Sequence, residues 1–370
     1  MFTARAAPSA PAPHDSFPRL SATSVSRCPT RNLRFLSPFV TAGATNGRIA
    51  FFSDRDGDFD IYVMNADGTG QRAITQNDTE DRDPVWSPDG LRVAYASRRD
   101  GHPEIYIADA DGKQSRRLTN SSGANFNPVW SPDGRRLAFV SERATQSDIY
   151  TINADGTGER QITNDSSDDY RPAWSPDSKQ VVFLSQRTAG QTDGSGEMFL
   201  VSVDGGDARL VTKTSKRALA AAFSPNGARI ALFSVVARKL EIVLMAPDGS
   251  AEQNLSALAK SETDSEPAWS PDSKQLAFLS DREISGALGI FVMNADGSGA
   301  RRVSAAKQAT AGPASWAGDG SAVVYSGFEN GNWEIFAAEL ATTQPRQLTV
   351  NKATDMGATW APSGPARAGR

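Results

Sequence analysis

One short phrase recurs along this chain at an almost fixed interval. PVWSPDG at 84–90 returns as PVWSPDG at 128–134, PAWSPDS at 172–178 and PAWSPDS at 267–273, with looser copies between and after. Its aromatic residue falls at Trp86, Trp130, Trp174, Phe223, Trp269, Trp316 and Trp360, at steps of 44, 44, 49, 46, 47 and 44 residues. Such a period means one supersecondary unit repeated in tandem, and a unit of that kind covers its apolar faces only by stacking on its neighbours.

Each of the first six copies is followed by the same three events. An apolar run ends in serine, as in VAYAS (93–97), LAFVS (137–141) and VVFLS (181–185). An acid then opens a run of β-formers, such as EIYIA (104–108) or DIYTI (148–152), and a segment like RRLT (116–119) or RQLT (346–349) closes the unit. Four short β-rich runs per period, parted by turn residues, spell a four-stranded antiparallel meander. Ser-Pro-Asp-Gly at 87–90 supplies proline where φ near −65° is needed and glycine where a left-handed residue completes the hairpin; Asn-Ala-Asp-Gly at 65–68 does the same with alanine.

The character of each run fixes its place. The second is apolar on both faces, which a strand tolerates only between two covering layers. The fourth is short and charged, as suits an exposed edge. The first, with its proline, is innermost. Sheets covered front and back by like sheets close most simply into a ring, a β-propeller. Residues 47–75 supply a second, third and fourth strand without a first, whereas ATWAPSG at the C-terminus supplies a first strand alone. The sequence therefore predicts an all-β, seven-bladed propeller of four-stranded antiparallel blades spanning 46–364, its C-terminal strand completing the N-terminal blade.

Residues 1–45 read as a disordered leader and 365–370 as a disordered tail. The leader carries Arg5, Arg19, Arg27, Arg31 and Arg34 against Asp15 alone. Three readings of it stay open: an organellar transit peptide, a poor secretory signal, or an initiator placed upstream of the true start. The whole chain has a net charge of −4, so the remainder is acidic, which argues against a nucleic-acid partner. No apolar run is long enough to span a membrane. Cys28, the single cysteine, cannot form an internal disulfide.

The units, above all PVWSPDGLRVAYASRRDGHPEIYIADADGKQSRRLT (84–119), resemble the TolB-type, WD-like β-propeller repeat. The resemblance covers about 45–364 and implies a periplasmic or otherwise extracytoplasmic protein. In TolB such a propeller accompanies an α/β domain and binds a lipoprotein at the end of its channel. This chain departs in having seven blades rather than the usual six and no α/β domain. Similar repeats occur in propeller domains of prolyl-oligopeptidase-type peptidases and in oligogalacturonate lyases.

Residues for catalysis are scarce. His14 and His102 are the only histidines, too few for a multi-histidine metal site, and no G-x-S-x-G elbow occurs. His102 reads as a solvated turn residue. The run Asp54, Asp56, Asp58, Asp60 invites a calcium loop but lacks the EF-hand spacing, so it reads as a hairpin. An arginine after each second strand (Arg55, Arg99, Arg143, Arg187, Arg282) is expected to pair with the acid opening the third.

Function is sought where repetition fails. The SPDG and NADG turns share one face; the opposite face carries variable loops such as TQNDTEDRDP (75–84) and TNDSSDDYRP (163–172). The residues just before each inner strand, Arg82, Asp83, Phe126, Asn127, Tyr170, Arg171, Glu266 and Met356, are expected to ring the channel mouth and bind a protein or peptide partner. The expectation is a non-enzymatic, monomeric scaffold with no cofactor, no metal and no catalytic residue. The alternative is a carboxylate-dependent lyase or hydrolase, or the accessory propeller of a peptidase assembly.

Overall fold

The computed structural model describes residues 47–363, except 144–145, 188–195, 213–216, 237–238, 258–262, 285–286, 306–308 and 343. The leader (1–45) and tail (365–370) inferred from sequence lie outside the described residues.

Seven four-stranded antiparallel sheets follow one another. Their inner strands are Asp81–Trp86, Ala124–Trp130, Asp169–Trp174, Arg217–Phe223, Asp264–Trp269 and Ala309–Trp316 in blades 2 to 7, and Asp355–Trp360 in blade 1. Each inner strand contacts the next, and the last returns to the first, so the blades close a ring. Blade 1 joins the two ends of the propeller: Asp355–Trp360 pairs antiparallel with Arg48–Ser53, Ile49 opposite Trp360 and Ser53 opposite Asp355. This is the closure that the split repeat predicts.

The second strands are apolar on both faces because each face meets a different blade. Ile49 and Phe51 pack with Val324, Ile335 and Ala337 of blade 7, while the alternating Ala50 packs with Trp86, Val93 and Tyr95 of blade 2. The motif tryptophan locks neighbours together by a hydrogen bond as well as by area. The indole Nε1 of Trp86, Trp174, Trp269 and Trp316 donates to the carbonyl of Thr359, Val129, Ala222 and Ala268 respectively, at 2.9–3.2 Å. Each acceptor lies one residue before the aromatic of the preceding blade.

The arginine after the second strand does not pair with the acid of the third, which corrects the sequence expectation. Arg55, Arg99, Arg187 and Arg282 reach instead the buried aspartate near the start of the inner strand: Asp355 (3.0 Å), Asp81 (2.9 Å), Asp169 (3.5 Å) and Asp264 (2.8 Å). Each arginine Nε donates to the serine that ends its own second strand. In three of the four blades the guanidinium lies 4.2–4.3 Å above a third-strand ring, Tyr62, Tyr106 or Phe199. That stacking turns the side chain back toward the inner strand.

The third-strand acid is already taken by the closing segment. Thr75, Thr119, Thr163 and Thr349 donate to Asp60, Glu104, Asp148 and Glu334. In every blade the same hydroxyl position accepts a third-strand backbone N–H at 2.8–3.2 Å. The final threonine of RxLT is thus a strand-edge hydrogen-bonding device, replaced in blades 5 and 6 by Ser256 and Ser304.

Candidate functional site: a collar of bulged inner-strand residues

Every inner strand contains a register shift where it pairs with its second strand, including those at Arg82/Val85, Phe126/Val129, Tyr170/Ala173 and Ser265/Ala268. In five blades a bulged residue three before the motif aromatic has positive φ: Asp83 (57°), Asn127 (51°), Arg171 (54°), Glu266 (51°) and Gly357 (67°). Gly312 (71°) fills the role in blade 7. Blade 5 carries Ala220 at the equivalent place without the left-handed turn. Four non-glycine residues therefore sit in a conformation that costs about 1–2 kcal/mol each, and all four precede a proline, which normally favours extended backbone. The bulge re-aims their side chains.

The eight residues expected just before the inner strands lie within them instead, and the bulge sorts them into two rows. Arg82, Phe126, Tyr170 and Met356 turn into the seams between blades. Arg82 stacks on Phe59 at 4.1 Å and Phe52 at 5.6 Å and pairs with Glu80 at 3.2 Å. Phe126 and Tyr170 pack, half-buried, on the core between blades 3 and 4. Met356 stands opposite Phe52 in the closing strand.

Asp83, Asn127, Arg171 and Glu266 form the other row. The charge of Arg171 in blade 4 reaches Glu266 in blade 6, although blade 5 separates them around the ring. Burial pushes the Glu266 carboxyl above the usual carboxylate range, and Arg171 partly offsets it. Burial likewise raises Asp83, with Arg82 opposing. Both acids are half-buried. Among the described residues, none of these four side chains makes a hydrogen bond or an ion pair.

The sequence reading missed the glycine members of this row. A Cβ on Gly357 would fall 2.3 Å from the Phe52 ring, so packing requires glycine there. On Gly312 a Cβ would meet nothing within 4 Å, so that position opens onto free space. Aligning the seven copies on their aromatic and reading three residues earlier would have found five of these residues; in blade 7 one more residue separates Gly312 from Trp316.

Other candidates resolve into scaffold. Asp54 accepts the Thr354 N–H at 2.6 Å, Asp56 accepts the Tyr62 hydroxyl, and Asp60 accepts Thr75 at 2.7 Å, so three of the four acids in that hairpin hold structure. His102 is not a freely solvated turn residue. Its Nε2 lies 3.0 Å from the Glu104 carboxylate and 3.1 Å from the Ser121 carbonyl. Burial raises the Glu104 pKa, but hydrogen bonds from Thr119, Ser121, Arg117 and Asn125 outweigh it and hold the carboxyl below its ordinary range. Among the described residues no group of three or more His, Cys, Asp or Glu is placed to hold a metal ion, and no helix is long and apolar enough to cross a membrane.

The chain matches the TolB beta propeller domain family over residues 42–123, 113–262 and 191–366. It is 30% identical over 150 residues to a protein TolB homolog of Chlorobium luteolum (strain DSM 273 / BCRC 81028 / 2530), a match that takes in 40% of this chain and only 33% of that protein. Among solved structures, TolB from Acinetobacter baumannii aligns with 87% of this chain and 68% of its own (TM-score 0.56, 18% identity). Oligogalacturonate lyase from Vibrio parahaemolyticus aligns over 83% and 86% (0.61, 15%). A puromycin-hydrolyzing peptidase of Mycobacterium tuberculosis aligns over 82% and 54% (0.66, 17%). At these identities the structural likeness is one of fold alone. The repeat phrase, the seven closed blades and the family match over most of the chain converge: this chain belongs to the TolB beta-propeller family.

Proposed function

We propose that this protein is a non-enzymatic scaffold, working outside the cytoplasm, that binds a protein or peptide partner at the channel mouth on the face of the variable loops. One observation carries the reading. Four polar side chains, Asp83, Asn127, Arg171 and Glu266, are held in a strained backbone conformation around the channel without a bonding partner among the described residues. Strain and unpaired charge are tolerated where a ligand supplies the missing partner. The surrounding ring is rigid, so a partner meets a preformed site. Family membership supports the reading, since the related propellers include TolB proteins.

A second reading draws on the same two acids. Carboxyls raised by burial suit general acid chemistry, and one structural relative is a lyase. The two readings part experimentally. The full chain, immobilised, should capture a specific protein or peptide from an extract of its native host, and the variant Asp83→Asn/Arg171→Gln/Glu266→Gln, matched in melting temperature, should not. Equal recovery on both would remove the collar from the binding site; turnover of an oligogalacturonate that the variant loses would favour the enzyme. The collar triple is preferred to substitutions at Phe126 or Tyr170, because those rings belong to the core and their loss would destabilise the blades.

A further inference from the structure

The charge pattern of the collar says what kind of group the partner brings; this step rests on the binding reading above. Asp83, Asn127 and Arg171 occupy three consecutive blades, and Glu266 stands alone two blades beyond Arg171. The row thus sets two carboxylates against one guanidinium. Asp83's own neighbour, Arg82, is committed to the Phe59 ring and to Glu80. Blades 7 and 1 present glycine, and the free space at Gly312 leaves width on that side for a main chain. A carboxylate held in a partly dewatered channel without a counter-charge is costly, and an entering cation recovers that cost. The loops outside add to the attraction. Asp58 sits close enough to Asp78, Asp81 and Asp56 for their charges to raise its pKa, burial being the larger cause, which makes the rim on the blade 1–2 side acidic. An acidic rim speeds encounter with a cationic partner.

We propose that the collar selects a lysine or arginine side chain carried by an extended peptide segment of the partner, received between Asp83 and Glu266, with Arg171 admitting one such cation and facing an acid or carbonyl of the same segment. The glycine side of the channel gives passage to the peptide backbone. Asn127 supplies an uncharged hydrogen-bonding group beside it.

The test uses phage-displayed random linear peptides panned against the full chain, with affinities of the recovered peptides then measured by fluorescence anisotropy. Three variants serve as comparators: the neutral Asp83→Asn/Glu266→Gln, the reversed Glu266→Lys, and Gly312→Arg, which fills the channel at a position whose left-handed backbone an arginine already tolerates at Arg171. Lysine or arginine should be enriched at one position of the recovered peptides. Their affinity should fall roughly tenfold or more in the neutral variant and be lost in the filled one, while melting temperatures stay alike. The reversed variant should instead recover acidic peptides. Binders that are blocked by Gly312→Arg but show no basic enrichment, or that bind the neutral variant equally well, would overturn this inference and leave the binding reading standing. A melting shift produced by calcium chloride or free lysine as large as that from the peptides would make the collar an ion or amine site and overturn it too. Failure to recover any peptide sensitive to Gly312→Arg would overturn both.

Discussion

Two rings of polar residues run round this propeller only two positions apart on the same strands, and they behave as opposites. The outer ring, Asp81, Asp169, Asp264 and Asp355, is fully buried, and each carboxylate is gripped by an arginine that also stacks on an aromatic ring. The inner ring, Asp83, Asn127, Arg171 and Glu266, faces the channel with no bonded partner among the described residues. Residues i and i+2 of an unbroken strand share a face. The bulge breaks that rule and separates a row that secures the blades from a row without bonded partners among the described residues. The lesson is that an acid recurring around a repeat ring is read by its partners. Where an arginine meets it in blade after blade it is scaffold; where nothing meets it among the described residues and the residue type changes from blade to blade, it is the candidate for a site.

The comparison can be broken most severely at the closure, where both rows end in blade 1. Deleting residues 352–370 removes the anchor Asp355 and the collar Gly357 together and leaves blade 1 without its inner strand. Calorimetry should show loss of the cooperative transition or a far lower melting temperature. A truncated chain melting within about a degree or two of the intact one would show that the ring does not depend on this strand.

Next in size is the contrast between the rows themselves. Asp81→Ala leaves Arg99 without its buried counter-ion and should cost about 3 kcal/mol in denaturant unfolding. Asp83→Gly, two residues on, should change stability by less than about 1 kcal/mol. Relief of the left-handed backbone there offsets the entropy that glycine adds to the unfolded chain. Equal losses at the two positions would erase the distinction between scaffold and site.

The smallest effect sharpens the anchor row. Burial raises the Asp169 carboxyl to about 6, with Asp165 adding to it and Ser185, Thr163 and Arg187 opposing. The folded state therefore holds a proton that the unfolded chain, titrating near its ordinary carboxylate value, releases earlier. The resulting stabilisation is fully present at low pH and is lost as pH rises through about 6. Between pH 7 and pH 5 this group should add roughly 1 kcal/mol. Asp169→Asn should remove that increment, so identical pH profiles of unfolding free energy for the two proteins would contradict the assignment.

Most of the architecture was legible in the chain because it rests on period and composition. The spacing of Trp86 to Trp360, the two-sided apolar second strands and the complementary chain ends each have one economical solution, and the ring is that solution. The arginine clamps were read correctly as scaffold but given the wrong partner. Their direction depends on stacking over Tyr62, Tyr106 and Phe199, a three-dimensional choice that adjacency along a hairpin does not reveal. The site was half legible. The eight residues lie within the inner strands rather than just before them, and nothing in the letters Asp, Asn, Arg and Glu announces positive φ, while the proline after each argues for the reverse. Gly357 in that column, and Gly312 before the proline of its own repeat, were the available hint.

The closing strand also shapes how the molecule comes into being. Ribosomes deliver the chain from its N-terminus, and the three strands between Arg48 and Ala73 emerge about 300 residues before their fourth partner, Asp355–Trp360. At about 5–20 residues per second that sheet waits on the order of 15–60 s with one long edge unpaired and with Ile49 and Phe51 uncovered. For that interval the nascent protein is an incomplete cylinder offering a sticky seam. Until translation has finished, that seam is where the nascent chain is most prone to stray association.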